Sequence, residues 1–103
     1  MNTYALVMKK TYTELVSQVD RDYYETINVY QSPEQADYES ERFNTSFIVY
    51  RNQFLGKIDT KGILKSVETR VLVFDGQLDK QSVQGILNAS GGTIWYTASR
   101  NRV

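Results

Sequence analysis

The stretch at residues 3–8 reads Thr-Tyr-Ala-Leu-Val-Met and is apolar at nearly every position. Successive side chains of an extended chain point to opposite faces. Leu6 and Met8 would therefore lie on one face, and Ala5 and Val7 on the other. Because a run that is apolar on both faces is typical of a central strand, we predict that residues 3–8 form the interior of a sheet.

Other runs rich in apolar, aromatic or β-branched residues predict the remaining strands, at residues 25–30, 45–50, 54–58, 63–74 and 93–98. The tetrad at 59–62, Asp-Thr-Lys-Gly, is typical of a turn that closes a hairpin, with glycine at the left-handed position. Residues 11–19 fit a strand or a helix, and their Thr and Val content favours a strand. The sequence thus predicts an α+β fold whose largely antiparallel sheet has about five to seven strands.

Two segments carry the signals of a short helix. Ser32 is a good N-cap before Pro33, and Gln35 completes a capping box, so we predict a helix over residues 33–43. Asp79 caps a second predicted helix over residues 80–90, which Gly-Gly at 91–92 would end. The apolar stripe of the second helix should pack on the sheet, whereas the first helix has little apolar surface and should be the more exposed.

Composition narrows the class of protein. The chain has 103 residues, the length of one domain, with no Cys and no His. The missing residue types remove disulfides, thiolate chemistry, the usual zinc ligands and the commonest general base. We therefore predict a single cytoplasmic domain that is not an enzyme, has no cofactor or metal site and does not enter a membrane. A metal-dependent acid/base enzyme using Asp59, Glu68 or Asp75 is the weakest alternative.

Tyrosine and acidic residues concentrate in the first part of the chain. Residues 1–44 hold eight acids and four bases, whereas residues 45–103 hold four acids and eight bases. Six of the eight Tyr residues also lie in the first segment. Tyr is enriched at protein interfaces, because its rigid ring offers apolar area with a polar tip. The sequence therefore predicts a site for a protein partner with a basic surface, formed by Tyr23, Tyr24, Asp37, Tyr38 and Glu41.

A binding protein is the predicted function. The Ser-Pro-Glu-Gln-Ala start of the first helix, residues 32–36, is similar to that of many small α+β proteins of bacteria and phages. Small size, missing catalytic residue types and surplus Tyr are typical of phage accessory proteins that bind and inhibit a host factor.

Single-stranded RNA or DNA is the alternative partner, because the second part of the chain is basic and aromatic. The residues that would bind it are Arg51, Lys57, Arg70 and Trp95. Two observations weigh against this alternative. The formal net charge of the chain is zero, and the sequence has no RNA-recognition signature.

Overall fold

The central strand predicted from residues 3–8 is present and longer than expected. The computed structural model describes residues 1–99 and contains, in chain order, β1 (Asn2–Thr13), β2 (Asp20–Tyr30), α1 (Pro33–Phe54), β3 (Ile58–Asp59), β4 (Gly62–Asp75) and α2 (Lys80–Thr97). The strands form one sheet in the order β2-β1-β4-β3, and every neighbouring pair is antiparallel. The predicted α+β class is therefore confirmed.

The two helices cover opposite faces of this sheet. Ala5 and Val7 point to the face on which α2 packs, in a cluster with Val83, Leu87 and Trp95. Met8 and Tyr12 point to the other face, in a cluster with Leu64 and Val67 against which Phe47 of α1 packs. The alternation of β1 thus divides the apolar side chains between two cores, with one helix over each.

The prediction of five to seven strands is wrong, because the sheet has four. Residues 45–50 continue α1 instead of forming a strand, and residues 93–98 belong largely to α2. In α1 the aromatic residues fall at helical spacing, and consecutive rings pack along one side of the helix. The ring centroids of Phe43 and Phe47 are 5.1 Å apart, those of Phe47 and Tyr50 5.1 Å, and those of Tyr50 and Phe54 4.3 Å. These contacts stabilise the helix beyond its predicted end at residue 43.

Both predicted helix starts are confirmed. The Ser32 side chain accepts a hydrogen bond from the Gln35 backbone N–H at 3.1 Å, and the Asp79 carboxylate accepts one from the Ser82 N–H at 2.7 Å. The predicted end of the first helix is wrong, because α1 runs on to Phe54. At the predicted end of the second helix the backbone does leave the helical conformation, at Ser90 with φ −147° and ψ 33°, and a second helical segment then continues to Thr97 across this kink.

Gly91, the first residue after this kink, serves close packing. A Cβ at this position would lie 2.6 Å from the ring of Tyr24 on β2. The absence of a side chain at Gly91 therefore allows α2 to approach β2 closely, and Tyr24 in turn packs against Trp95 with ring centroids 5.8 Å apart. A larger residue at position 91 would force either α2 or the Tyr24 ring to move.

The segment at residues 11–19 divides between a strand and a turn. β1 continues to Thr13, residues 14–19 form the connection, and β2 begins at Asp20, earlier than the predicted residue 25. The predicted hairpin around residues 59–62 is confirmed, but its first arm is the two-residue strand β3 because α1 occupies the chain up to Phe54.

Gln84 on α2 closes part of the outer edge of β2. Its side-chain oxygen accepts a hydrogen bond from the Thr26 N–H at 2.7 Å, and its side-chain nitrogen donates to the Tyr24 carbonyl at 2.9 Å. The amide group therefore pairs with the strand as a neighbouring backbone would, which satisfies two groups of an edge strand.

Two glycines of α2 should respond oppositely to alanine. Gly85 has open space around its Cα, so Gly85→Ala should stabilise the protein by roughly 0.5–1 kcal/mol through a better helix propensity. Gly91→Ala should destabilise it by about 1–3 kcal/mol, because the new methyl group collides with Tyr24. Urea unfolding of both variants measures the two changes. A Gly91→Ala variant as stable as the wild type would contradict the close contact of α2 with Tyr24.

Candidate functional site

The C-terminal half of α1 is the most exposed apolar part of either helix. α1 has 22 residues, and of these only Ala36 and Ser40 are buried. The large apolar side chains left exposed there and in the chain that follows are Ile48, Val49, Tyr50, Phe54, Leu55 and Ile58, which we call the α1–β3 surface. An exposed apolar residue is ordinary by itself, whereas several that adjoin one another are typical of an interaction surface.

A cleft of about 270 Å³ lies between this half of α1 and the sheet. We call it the basic cleft; its lining consists of Lys10, Tyr12, Phe47, Tyr50, Arg51, Phe54, Lys57, Ile58, Asp59, Leu64 and Val67. Leu64 and Val67 belong to the buried cluster under α1, and the aromatic rings of α1 stand beside them. The cleft therefore combines an apolar interior with cationic side chains.

The end of α1 and the β3–β4 hairpin place Lys57 at this cleft. Leu55 caps the helix by donating its N–H to the Arg51 carbonyl at 3.0 Å, and Gly56 turns the chain with a φ of 81°. Gly56 then donates to the Leu64 carbonyl at 2.8 Å, and the Leu64 N–H donates to the Lys57 carbonyl at 3.1 Å. These bonds attach the segment after α1 to β4 beside the cleft, and the left-handed turn between them favours glycine at position 56.

Asp59 and Tyr12 form a polar pair in the lining. The Asp59 carboxylate accepts a hydrogen bond from the Lys61 N–H at 2.7 Å. That bond, and a further one from the Tyr12 hydroxyl, lowers the pKa of Asp59 below its usual value. Burial, together with the hydrogen bond to Asp59, raises the pKa of Tyr12 to about 12. At neutral pH the pair is thus a charged carboxylate and a neutral phenol.

Three cations line the cleft without a close acidic partner. Within residues 1–99, no ion pair involves Lys10, Arg51 or Lys57. The Nε atom of Arg51 is buried and, in the same part of the chain, has no hydrogen-bond partner. The positive charge of Lys10 contributes to lowering the pKa of Asp59. The cleft therefore holds more positive charge than its own carboxylate balances.

The five residues predicted to bind a partner do not form one patch. Tyr23 and Tyr24 point to opposite faces, as their adjacency in a strand requires. Tyr24 packs on Trp95, while Tyr23 stands beside Tyr12 with ring centroids 5.6 Å apart. Tyr23 pairs with Lys10 and Tyr30 pairs with Tyr4, so Tyr23 lies seven residues, about 23 Å, from the end of β2 that leads into α1.

The other three members of that set lie near the start of α1. Tyr38 is 65% exposed, Glu41 is exposed and Asp37 is partly buried. Three helical turns separate Tyr38 from Val49, so both lie on the outer side of the helix. The acidic group on α1 and the two tyrosines of β2 are consequently separate features of the surface.

The four residues of the nucleic-acid alternative divide between the two faces. Arg51 and Lys57 line the basic cleft under α1. Arg70 lies on the α2 side, with its guanidinium carbon 4.7 Å from the centroid of the Trp95 ring. Trp95 is 0% exposed and belongs to the core, so its ring is not accessible to a nucleic-acid base. The structure therefore brings together only the first two of these residues.

Sequence reasoning missed Lys10, Tyr12, Tyr50 and Phe54 as members of a site. The positions 43, 47, 50 and 54 follow helical spacing and could have indicated an aromatic face on a longer helix. Nothing local to Lys10 or Tyr12 indicates the cleft, since these residues reach it through the pairing of β1 with β4 and the position of α1 above the sheet.

Residues 1–99 show neither a metal site nor a membrane-spanning helix. No group of three or more acidic, His or Cys side chains there is placed to hold a metal ion. Neither helix of that part of the chain is long and apolar enough to cross a membrane. Comparisons with protein-family models, with curated proteins and with solved structures found no significant match.

The raised pKa of Tyr12 predicts how Tyr12→Phe changes stability with pH. The unfolded tyrosine loses its proton near pH 10.0 and the folded one near pH 12, so alkali favours unfolding of the wild type through this group. Phenylalanine has no such proton. The stability advantage of the wild type over Tyr12→Phe should therefore be constant below pH 10.0 and shrink between pH 10.0 and about 12.

Urea unfolding of both proteins at about pH 9 and about pH 11 measures this difference. Other tyrosines titrate in both proteins, so their contributions cancel. An advantage of the same size at both pH values would contradict the burial of the Tyr12 hydroxyl beside Asp59.

Proposed function

We propose that this protein is a non-enzymatic binding module that holds a protein partner on the α1–β3 surface. The observation that carries the proposal is that α1, a helix of 22 residues, buries only Ala36 and Ser40 while large apolar side chains of its second half remain exposed. Covering such side chains with a partner removes apolar area from water, which is the main favourable term in most protein association.

The shape of the α1–β3 surface supports a protein as the occupant. Tyr50, Phe54 and Ile58 border the basic cleft. Ile48 borders the neighbouring groove beside Arg51, and Val49 lies on the outer side of the helix. Aromatic and large aliphatic side chains next to a recess resemble the anchor regions of protein interfaces, where a few residues supply most of the affinity. A helical or extended segment with its own apolar side chains would fit this surface.

The charges beside the surface favour an acidic partner. Lys10, Arg51 and Lys57 line the cleft next to the apolar side chains, with Asp59 as the carboxylate among the lining residues. Complementary charge raises the association rate and disfavours like-charged partners. The proposal thus differs from the basic partner that the sequence predicted, because the acidic residues Asp37 and Glu41 lie near the other end of α1.

The chemistry of the cleft supports binding without catalysis. A general base works best when its pKa is near the operating pH. The Asp59 pKa is instead lowered by its bond from the Lys61 N–H, and the Tyr12 pKa is raised to about 12. Neither group is placed to exchange protons near pH 7. Stoichiometric binding of this kind can inhibit a partner by covering the surface that the partner uses.

The test compares two sets of substitutions at exposed apolar residues. Ile48→Glu combined with Val49→Glu places charge on the α1–β3 surface, where Val49 is 62% exposed. Val16→Glu makes the same kind of change at a valine that is 95% exposed in the β1–β2 connection. Because both sites are solvent-exposed, neither change should lower the melting temperature appreciably.

The partner would be captured from a nuclease-treated lysate by the wild type, identified, purified and titrated against each variant by calorimetry. The double variant should bind at least about 2 kcal/mol, or about thirtyfold, more weakly, and Val16→Glu should bind like the wild type. Equal affinities of both variants would contradict the proposed surface. Capture that disappears after nuclease treatment would favour the nucleic-acid alternative.

A further inference from the structure

We propose that the basic cleft is a binding site for a small aromatic carboxylate, a planar ring system that carries one carboxylate group. This inference goes beyond the docking of a protein on the α1–β3 surface, because it concerns a recess under α1 and a ligand of different size. It rests on the dimensions of the cleft, on the nature of its walls and on its unbalanced charge.

The size of the cleft limits the ligand to one or two rings. Its volume of about 270 Å³ lies just below the usual range for small-molecule pockets, which begins at about 300 Å³. Its interior includes Leu64 and Val67, both buried residues of β4. A long or branched ligand would extend out of this space, whereas a compact ring would remove its apolar area from water there.

The walls of the cleft favour a planar ring. Phe47, Tyr50 and Phe54 lie along α1 with centroids 5.1 and 4.3 Å apart, and Tyr12 lies in the sheet below. Aromatic rings prefer offset-stacked or edge-to-face contacts with one another. A planar aromatic ligand can make such contacts with several of these side chains at once, which an aliphatic ligand of equal area cannot.

The charge of the cleft favours an anion. Lys10, Arg51 and Lys57 face one lining carboxylate, Asp59, and that carboxylate is already bonded to the Lys61 N–H. Glu68 borders the neighbouring groove with Arg51, but its own ion pairs are with Lys9 at 3.8 Å and Arg70 at 3.1 Å. A bound anion would reduce the repulsion among the three cations and could accept a hydrogen bond from Arg51.

A carboxylate fits the site better than a dianion does. The guanidinium group of Arg51 presents a fork of donors that matches the two oxygens of a carboxylate. The lining carries three cations and one carboxylate, a net charge of +2, so its charge favours an anion of either kind. The apolar walls favour the monoanion, because the cost of removing an ion from water rises steeply with its charge.

Naphthoate is the probe, and naphthalenemethanol is its neutral counterpart with the same ring. Each is titrated into the full chain by calorimetry, and the bound residues are identified from amide shifts in NMR spectra. Naphthoate should bind at least about tenfold more tightly than the alcohol, because hydrogen bonds that involve an ionised group are about twice as strong as neutral ones. Naphthyl phosphate should bind more weakly than naphthoate, and the shifts should centre on Tyr12, Arg51 and Lys57.

Arg51→Gln and Arg42→Gln form the matched pair of variants. Arg42 lies on the same helix, is exposed and pairs with Glu39 at 3.7 Å, so its loss should leave naphthoate binding unchanged. Arg51→Gln should weaken naphthoate at least about tenfold and leave the alcohol unaffected. If Arg51→Gln lowers the melting temperature, Lys57→Gln replaces it in the test. Lys57 is exposed, so its substitution should weaken naphthoate binding without destabilising the fold.

Several results would overturn the proposal. In calorimetry these are no saturable binding of naphthoate, equal affinities for naphthoate and the alcohol, or a higher affinity for naphthyl phosphate. Amide shifts centred on the α2 side of the sheet, or equal losses of affinity in the two arginine variants, would also contradict it. Val49→Glu alone should still bind naphthoate as the wild type does, because residue 49 lies on the outer side of α1, about 160° around the helix from Arg51. A failure of protein docking and a failure of ligand binding are therefore distinguishable.

Discussion

Three consecutive buried residues of β1 constrain the whole structure. Ala5, Leu6 and Val7 are 0%, 1% and 0% exposed, although adjacent side chains of a strand point to opposite faces. A strand can bury all three only if both faces of the sheet are covered. The chain meets this requirement with two helices that follow the two strands beside β1: α1 follows β2, and α2 follows β4.

The two helices cover the two faces of the sheet to different extents. α2 brings Val83, Leu87 and Trp95 into the core, and Gly91 lets it approach Tyr24. α1 covers its face with Ala36, Ser40 and a row of aromatic rings that are only partly covered themselves. The side of the sheet under α1 consequently keeps both a cleft and an exposed apolar surface, and the proposed binding functions lie there.

The sequence correctly predicts those parts of the fold that depend on contacts between residues close together in the chain. Ser32 and Asp79 mark the starts of both helices because capping needs a side chain and a backbone N–H three residues away. The central strand follows from the apolar run at residues 3–8, and the last hairpin from the turn before Gly62. Features set by distant contacts were not predictable in this way. Residues 45–50 have strand propensity, yet they are helical because the aromatic rings of α1 pack along the helix and over the sheet.

The candidate site shows the same limit. Arg51 and Lys57 were selected from the sequence as basic residues near aromatic ones, and they do line the cleft. Trp95 was selected for the same reason and is a core residue. Composition identifies the residue types suited to binding, but burial and the choice of face depend on pairings such as Lys10 with Val67, which join distant parts of the chain.

Native-state hydrogen exchange tests most directly the claim that α2 is held by the core while the second half of α1 is held weakly. Amides of both helices make the same intrahelical bonds, so differences in their opening free energies report tertiary packing. We expect amides of Val83 and Leu87 to exchange only through global unfolding. Amides of residues 48–52 should exchange through local opening at a clearly lower free energy. Equal opening free energies in the two helices would contradict the account.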